Sequence, residues 1–441
     1  MSADPVLIVG AGPAGATAAL SLAKAGVPVR LIDRASFPRN KPCGGGISVR
    51  VRRRFPYLQD ALRRIPVHEL SRLYLEGPDG ESALIESDVP AALMIRRLEF
   101  DALLVSLAVE AGAELIAGVD IVQAAEGPAN GRGRGRIALT ARDGRRFESS
   151  TLIAADGVHS VVARRLGLNR GWPSTSVALD MMEETPRGLL RDVDPSTLWV
   201  AYGFAPKDSQ SRPHEAGAPP TSRRSAEREA PEGYAYIFPK RDHVNIGIGY
   251  VLSYFKDSVD QAPYELQRDF VDRLRTRGVV VGDSVRANFT PFLIPVGGPL
   301  RRPGRRRVLL AGDAGGFVNG FTAEGIYYAM VSGELAARTV SASWPSTAAD
   351  LCEPYRRAVD REMGAELRDS VLVQRYLFGD RRRIAAAISA APRQRSMTKL
   401  ILDLAIGRRS YADVRRRMFA RVPVLAARLL WQRTQRNLGI G

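Results

Sequence analysis

The chain has 441 residues, 45% hydrophobic and 25% charged, which excludes wholesale disorder and gives room for two or three domains around a sizeable core. Two cysteines (Cys43 and Cys352) and four histidines exclude a disulfide framework and lack the ligand spacing of a zinc site, so no metal is expected. Lys and Arg number 64 against 47 acids, a net charge of +17, and 58 of the 64 are arginine, a skew expected mainly from a GC-rich coding sequence.

The first apolar run, Val6-Leu7-Ile8-Val9, is too short for a signal peptide, and nowhere do about 18 consecutive apolar residues occur. A reducing, cytoplasmic setting without a membrane span is therefore expected. The run suits a buried parallel strand. Gly10-Ala11-Gly12-Pro13-Ala14-Gly15 follows and opens an alanine-rich helix to about Ala25, with Gly26 as its stop. Val29 to Ile32 forms a second strand, ending at Asp33 and Arg34. In this strand–turn–helix–strand context Gly10 permits the tight turn, Gly12 lets the backbone approach a pyrophosphate, and Gly15 allows close helix–strand packing. The free N–H groups at the helix start favour phosphate, and Asp33 is placed to accept hydrogen bonds from a ribose.

A helix from Leu98 to Ala111, stopped by Gly112, precedes a short strand at Glu114 to Ala117. Strands continue through Arg136 to Arg142, with a hairpin turn at Asp143-Gly144. Thr151 to Ala154 then leads into Ala155-Asp156-Gly157. From about 172 to 290 the pattern becomes β-rich, broken at 205–232 by a Pro/Ser/Arg/Glu/Ala mixture expected to form a mobile surface loop. Val308 to Ala311 leads into Gly312-Asp313, followed by a helix from about Glu324 to Ser341. The tail is helical and basic: from Arg381 to Gly441, 15 Arg or Lys face two acids, Asp403 and Asp413, for a local net of +13. No internal repeat is present.

Asp156-Gly157 and Gly312-Asp313 each place a carboxylate straight after an apolar strand, at the sheet edge where open α/β sheets bind ligands. Either pair alone is more often a plain turn. Together with the glycine turn, three such edges point to one long, polyhydroxylated dinucleotide.

The three motifs, in this order and spacing, resemble the FAD-binding fold of the p-hydroxybenzoate hydroxylase type. The resemblance implies that Asp313 binds the ribityl chain and that Asp156 lies near the pyrophosphate and the nicotinamide approach. It also implies that Arg97, in Arg97-x-x-Phe100-Asp101, points at the flavin; the competing reading is a surface arginine at a helix start. Lys41-Pro42-Cys43-Gly44-Gly45-Gly46 resembles a loop of the geranylgeranyl reductase family, as do Gly315 to Ile326 and Pro231-x-x-Tyr234-x-Tyr236-x-Phe238-Pro239. Tyr236 stands where that family has Trp, and Gly320 where it usually has Pro. By this resemblance Cys43, Gly44, Gly45, Gly325 and Ile326 join the cofactor site, and Cys43, Tyr234 and Tyr236 are candidate catalytic, cavity-lining residues. Read from the residues alone, Tyr234, Tyr236 and Phe238 alternate along a strand and so share one face, an aromatic wall suited to an alkyl chain. Cys43, with an ordinary thiol pKa of ~8.5, is a poor acid for protonating an alkene. His159 is expected to face solvent.

The expected architecture is α/β: a Rossmann-like FAD-binding domain formed by 1–171 and 291–345, a β-rich substrate domain at 172–290, and a basic helical C-terminal region at 346–441. The expected activity is FAD-dependent reduction of carbon–carbon double bonds in a prenyl, geranylgeranyl-type chain. NADPH or another electron donor, such as a small redox protein, would bind transiently. The alternative is a flavin monooxygenase or halogenase on the same fold. Expected partners are a prenylated small molecule or lipid and, through the tail, an anionic membrane on its inner face. In the tail, Leu400, Ile401 and Leu404 recur at helical spacing, and Trp431 sits by a basic border. No nucleic-acid motif occurs.

Overall fold

The computed structural model describes residues 4–127, 135–204, 232–346 and 350–393, together with Asp403, Leu404, Tyr411 and Arg416. Val6–Val9, Val29–Ile32, Leu152–Ala154 and Val308–Leu310 are continuous apolar runs because both of their faces are covered. They lie side by side in a six-stranded sheet ordered Gly304–Arg305, Val308–Leu310, Leu152–Ala154, Val6–Val9, Val29–Ile32, Glu114–Ile116. All pairs are parallel except the Gly304–Arg305 edge. Ile8, Leu31, Ile153 and Leu309 pack under the helices Pro13–Lys24, Arg97–Glu110 and Ile326–Ser341. The alternate residues Leu7, Val9, Leu152 and Leu310 pack on a three-stranded antiparallel sheet of Ile121–Glu126, Ile137–Ala141 and Arg146–Ser149.

The expected elements of this half fall within a residue or two of their places. The helix expected from Leu98 begins at Arg97, and the one expected from Glu324 begins at Ile326. Gly26 and Gly112 follow their helices with φ of +71° and +104°, as left-handed stops.

A second sheet of seven strands is ordered Phe289–Ile294, Ala178–Pro186, His243–Val251, Gly233–Pro239, Thr197–Tyr202, Arg72–Glu76, Ser82–Glu86. Neighbours are antiparallel except Thr197–Tyr202 with Arg72–Glu76. The sheet is therefore not confined to 172–290: two strands come from the segment before it, and an edge strand runs past its end. The amphipathic helix Pro263–Thr276 lays Leu266, Phe270, Val271 and Leu274 against Met181, Trp199, Ile246 and Ile248 on the outer face. The inner face turns toward the six-stranded half.

Helices Cys352–Val359, Ala365–Phe378 and Arg381–Ala390 follow. Tyr355 and Leu367 pack with the six-stranded half, while Phe378, Ile384 and Ile388 cover Leu75, Ala83, Ile85 and Val200 of the seven-stranded sheet. This region is thus a helical cap joining both halves. Most of the 205–232 loop and of the basic tail beyond 393, including Leu400, Ile401 and Trp431, lie outside the described residues. Among the described residues, no helix is long and apolar enough to cross a membrane.

Candidate active site

The parallel strands end at one edge, and backbone bonds stitch that edge together. Gly10 N donates to Ile32 O (2.7 Å), Ala155 N to Val9 O (2.7 Å) and Ala311 N to Ala154 O (2.8 Å). The glycine turn, Asp33, Asp156 and Asp313 are therefore brought to one rim. The three turn glycines have different reasons to be glycine. Gly10 has a φ of +95°, and a Cβ there would collide with the Ala155 carbonyl; a Cβ on Gly15 would collide with the Gly10 carbonyl. Gly12 has ordinary extended dihedrals (φ −72°, ψ −174°), and its Cβ would meet nothing nearer than the Arg39 and Arg97 Nη2 atoms, each at 3.8 Å. Gly12 thus faces an open cradle rimmed by two guanidinium groups.

Arg97 is not a surface arginine. It is 6% exposed and grips Asp101 with two hydrogen bonds of 2.6 and 2.7 Å, while Arg39 reaches the same carboxylate at 3.1 Å. One turn of helix (i, i+4) lets Arg97 and Asp101 meet. Lys41 joins them: burial, then the Arg97 charge, lower its pKa, against the pull of Asp313, Cys43 and Asp101. Arg39, Lys41 and Arg97 against Asp101 leave a positive field beside Gly12, which suits a diphosphate.

Asp33 accepts from Ala11 N (2.6 Å) and Ala35 N (2.8 Å), one per oxygen, so it braces the turn and keeps lone pairs for a ribose hydroxyl. Arg34 is exposed. Pro13 starts the helix, and Ala14 packs against Gly312, whose Cβ would lie 3.0 Å from the Ala14 Cβ. Gly312 (φ +60°) donates its amide to Ser332 Oγ at 2.9 Å. Asp313 Oδ1 lies 3.6 Å from where a Gly325 Cβ would stand, an ordinary contact distance that puts the carboxylate beside the start of the Ile326–Ser341 helix. Asp156 is placed differently. Its carboxylate takes Ser160 Oγ (2.6 Å) and Val162 N (3.2 Å), and burial raises its pKa. It caps a local helix, with its backbone beside Gly10. Gly157 supplies the positive φ (+82°) of that turn, and His159 is exposed.

The inner face of the seven-stranded sheet closes over this rim. The pairing register aligns Tyr234 with Gly249 and Asp180, Tyr236 with Gly247 and Met182, and Phe238 with Asn245 and Glu184. The three aromatic residues therefore share one face, and Gly247 is needed there: its Cβ would stand 2.5 Å from the Tyr236 ring. The Cys43–Gly45 loop packs on them. A Cβ on Gly44 would lie 2.7 Å from the Phe238 ring, while Asn245 Nδ2 (3.1 Å) and Lys240 Nζ (3.4 Å) donate to the Cys43 carbonyl. Gly45 has a φ of +75° and abuts the Ile95 carbonyl. Cys43 Sγ accepts from Gly45 N at 3.4 Å. Lys240 forms a buried ion pair with Glu184, which also binds Arg96 at 2.9 Å.

The hydroxyls on this wall are turned inward. Tyr234 donates to Thr322 O (2.6 Å), and Tyr236 donates to Asp180 Oδ2 (3.0 Å). Tyr202 stacks on Phe321 (6.0 Å, 8°), and Phe378 closes the far end against both. Sequence reasoning missed Asp180, Arg39 and Tyr202, and gave no role to Lys41 or Asp101 within the motifs that contain them. Asp180 had a signal, a lone acid in the apolar stretch Leu179-Asp180-Met181-Met182; Asp101 also had one, four residues after Arg97 at helical spacing.

A family model described as an FAD binding domain matches residues 4–230. A menaquinone reductase of Mycobacterium tuberculosis is 31% identical over 367 residues, covering 79% of this chain and 80% of that protein. A digeranylgeranylglycerophospholipid reductase of Methanoculleus marisnigri is 30% identical over 376 residues, 84% of each. A geranylgeranyl bacteriochlorophyll reductase-like structure from Thermoplasma acidophilum superposes with a TM-score of 0.70 at 19% identity, covering 88% of this chain and 91% of that one. The chain belongs to the geranylgeranyl reductase family of FAD-dependent oxidoreductases. Flavin-dependent halogenases share the fold alone, at 16% and 18% identity.

The rim of this flavoprotein fits FAD on its own chemistry. Gly12 and its two guanidinium groups provide the open, positive diphosphate cradle, Asp33 suits the adenosine ribose, and Asp313 lies beside a helix start on the side nearer the aromatic wall.

Proposed function

We propose that this flavoprotein reduces carbon–carbon double bonds of a prenyl chain. The observation that carries the reading is the aromatic inner face, which meets the Cys43–Gly45 loop at the rim of the FAD site. Tyr202, Tyr234, Phe238 and Phe321 are half-buried and offer apolar ring surface, backed by the buried Tyr236 and Phe378, and the Tyr234 and Tyr236 hydroxyls are already occupied within the protein. Such a wall favours a hydrocarbon chain over a polar substrate. The two relatives described above are named for menaquinone and for a digeranylgeranyl lipid, and both molecules carry a polyprenyl chain.

Bound FAD supplies hydride chemistry; the protein binds, orients and dries the reacting bond. Arg39, Arg97, Asp33 and Asp313 would fix the cofactor, and the wall would hold the chain against it. Electrons would come from NADPH or a small redox protein bound transiently. We also propose that the arginine-rich tail attaches the enzyme to anionic lipid, where prenyl substrates reside.

The test is to incubate the dithionite-reduced enzyme anaerobically with a prenylated quinone, a digeranylgeranyl glycerophospholipid and a prenylated tetrapyrrole ester, and to analyse each by mass spectrometry. A gain of two hydrogens per double bond on at least one supports the reading. No gain on any, with hydroxylation or halogenation of an aromatic substrate once oxygen is admitted, would replace it by the monooxygenase or halogenase alternative.

A further inference from the structure

We propose that Asp180 is the proton donor of this reduction and that Tyr236 positions it, an assignment that rests on the prenyl-reductase reading above. Asp180 lies on the inner face of the Ala178–Pro186 strand, opposite Gly249 and one strand from Tyr234. It is 6% exposed. Oδ2 accepts from the Tyr236 hydroxyl at 3.0 Å, and Oδ1 is buried with no hydrogen-bond partner. A buried carboxylate oxygen without a donor is costly, whereas a protonated one is a neutral group that can donate a hydrogen bond. Gly249 keeps the space beside it open, since even a Cβ there would stand 3.6 Å from Oδ1.

The other titratable groups facing Asp180 are poorer donors. Tyr234 and Tyr236 are pushed well above the ordinary phenol range by burial, then by Asp180 itself. Two rungs along the face, Glu184 is held ionised by Lys240 and Arg96, against its burial. From the neighbouring strand, Phe292 pairs with Asp180, and Lys41 lies over its ring at 5.6 Å, where its ammonium suits anion binding beside Arg97. Cys43 also faces it, from the loop, with its Sγ accepting from Gly45 N. Burial raises the Asp180 carboxyl to about 7, with the Tyr236 hydrogen bond pulling the other way. A donor near neutral pH is the efficient choice for general acid catalysis.

Reducing one double bond requires a hydride and a proton. The π bond would break as hydride, supplied with its electron pair by reduced FAD, reached one carbon, while the Asp180 O–H bond would break to protonate the other. The alkene would be reduced and the bound FAD left oxidised. The Asp180 carboxylate keeps the Tyr236 hydrogen bond until solvent returns its proton.

The experiment uses flavin-loaded wild type, Asp180→Asn, Asp180→Glu and Tyr236→Phe. Each is reduced anaerobically and mixed with the prenylated substrate that wild type accepts, and flavin reoxidation is followed across pH 5–9. Asp180→Asn should slow reoxidation by at least about 100-fold, with FAD affinity and dithionite reduction unchanged, and Asp180→Glu should recover part of the rate. The wild-type rate should fall as pH rises through about 7. Tyr236→Phe removes a hydrogen bond that favours the carboxylate, so its limb should move to higher pH. A second readout needs no substrate. A carboxyl whose pKa rises on folding, from 3.8 to about 7, binds more protons folded than unfolded between those values. Its stabilisation is present at low pH and lost as pH rises through that window, so the melting temperature of wild type minus that of Asp180→Asn should decline there. A folded Asp180→Asn protein with wild-type rates and the same pH limb overturns the assignment while leaving the reductase reading intact. If wild type reduces no prenyl chain, both fall, and the melting difference still reports whether the buried carboxyl holds a proton.

Discussion

The two sheets meet at the same candidate site but encode their halves of it differently. The six-stranded sheet builds its rim from backbone: Gly10, Gly12 and Gly15 lie within six residues, and each is dictated by a local contact or opening. The seven-stranded sheet builds its wall from side chains on strands far apart in the chain, so that Asp180 and Tyr236 become partners only through pairing to His243–Val251. Backbone sites are therefore written as contiguous motifs. Side-chain sites emerge from register.

The largest contrast is expected within the glycine turn. Gly15→Ala, driven into the Gly10 carbonyl, should cost more than about 3 kcal/mol and yield little folded protein. Gly12→Val should fold, because its Cβ has open space, yet emerge colourless, because the cradle is filled. Circular dichroism and flavin absorbance check both; a folded, yellow Gly12→Val protein would break the assignment of the cradle. Next in size, Asp101→Ala leaves Arg97 and Arg39 beside a vacated, buried carboxylate position and should destabilise the FAD-free protein by about 3–5 kcal/mol in thermal or urea denaturation.

On the side-chain half the effects should be smaller in stability and larger in turnover. Gly247→Ala displaces the Tyr236 ring and should cost about 1–3 kcal/mol, retain FAD, and lower the rate of substrate-driven flavin reoxidation. Equal rates for Gly247→Ala and wild type would show that Tyr236 need not sit where the register puts it. Last comes removal of 412–441, which spares the buried Tyr411. It should weaken binding to anionic vesicles, at ~1 kcal/mol per arginine brought near the surface and with strong salt dependence. Unchanged sedimentation with such vesicles would remove the tail from the account.

The same contrast explains what was legible in the sequence. The βαβ opening, the strand–Asp-Gly turn and the strand–Gly-Asp turn are local patterns, and the structure gathers them at one edge. Arg97 was ambiguous because its burial depends on Arg39 and Asp101 converging with it. Ser82–Glu86 alternates in burial along its length, yet its membership of the distant sheet, with its partner Arg72–Glu76, rests on the parallel pairing of Arg72–Glu76 with Thr197–Tyr202. Asp156 stands next to the glycine turn as its motif implies, but its carboxylate answers to Ser160 and Val162, five residues or so further on. Asp180 interrupts an apolar stretch in the sequence, but only the pairing register puts Tyr236 beside it.

The central claim is that FAD held at the rim would deliver hydride directly to a carbon–carbon double bond of a chain held against it by the aromatic wall. The most direct measurement is an anaerobic titration of the fully reduced flavoprotein with the prenylated substrate, comparing the flavin reoxidised with the double bonds lost. The account predicts one flavin reoxidised per double bond saturated, without oxygen. Flavin that stays reduced through the titration and reoxidises only when oxygen is admitted, with oxygen or halogen entering the product, would contradict it.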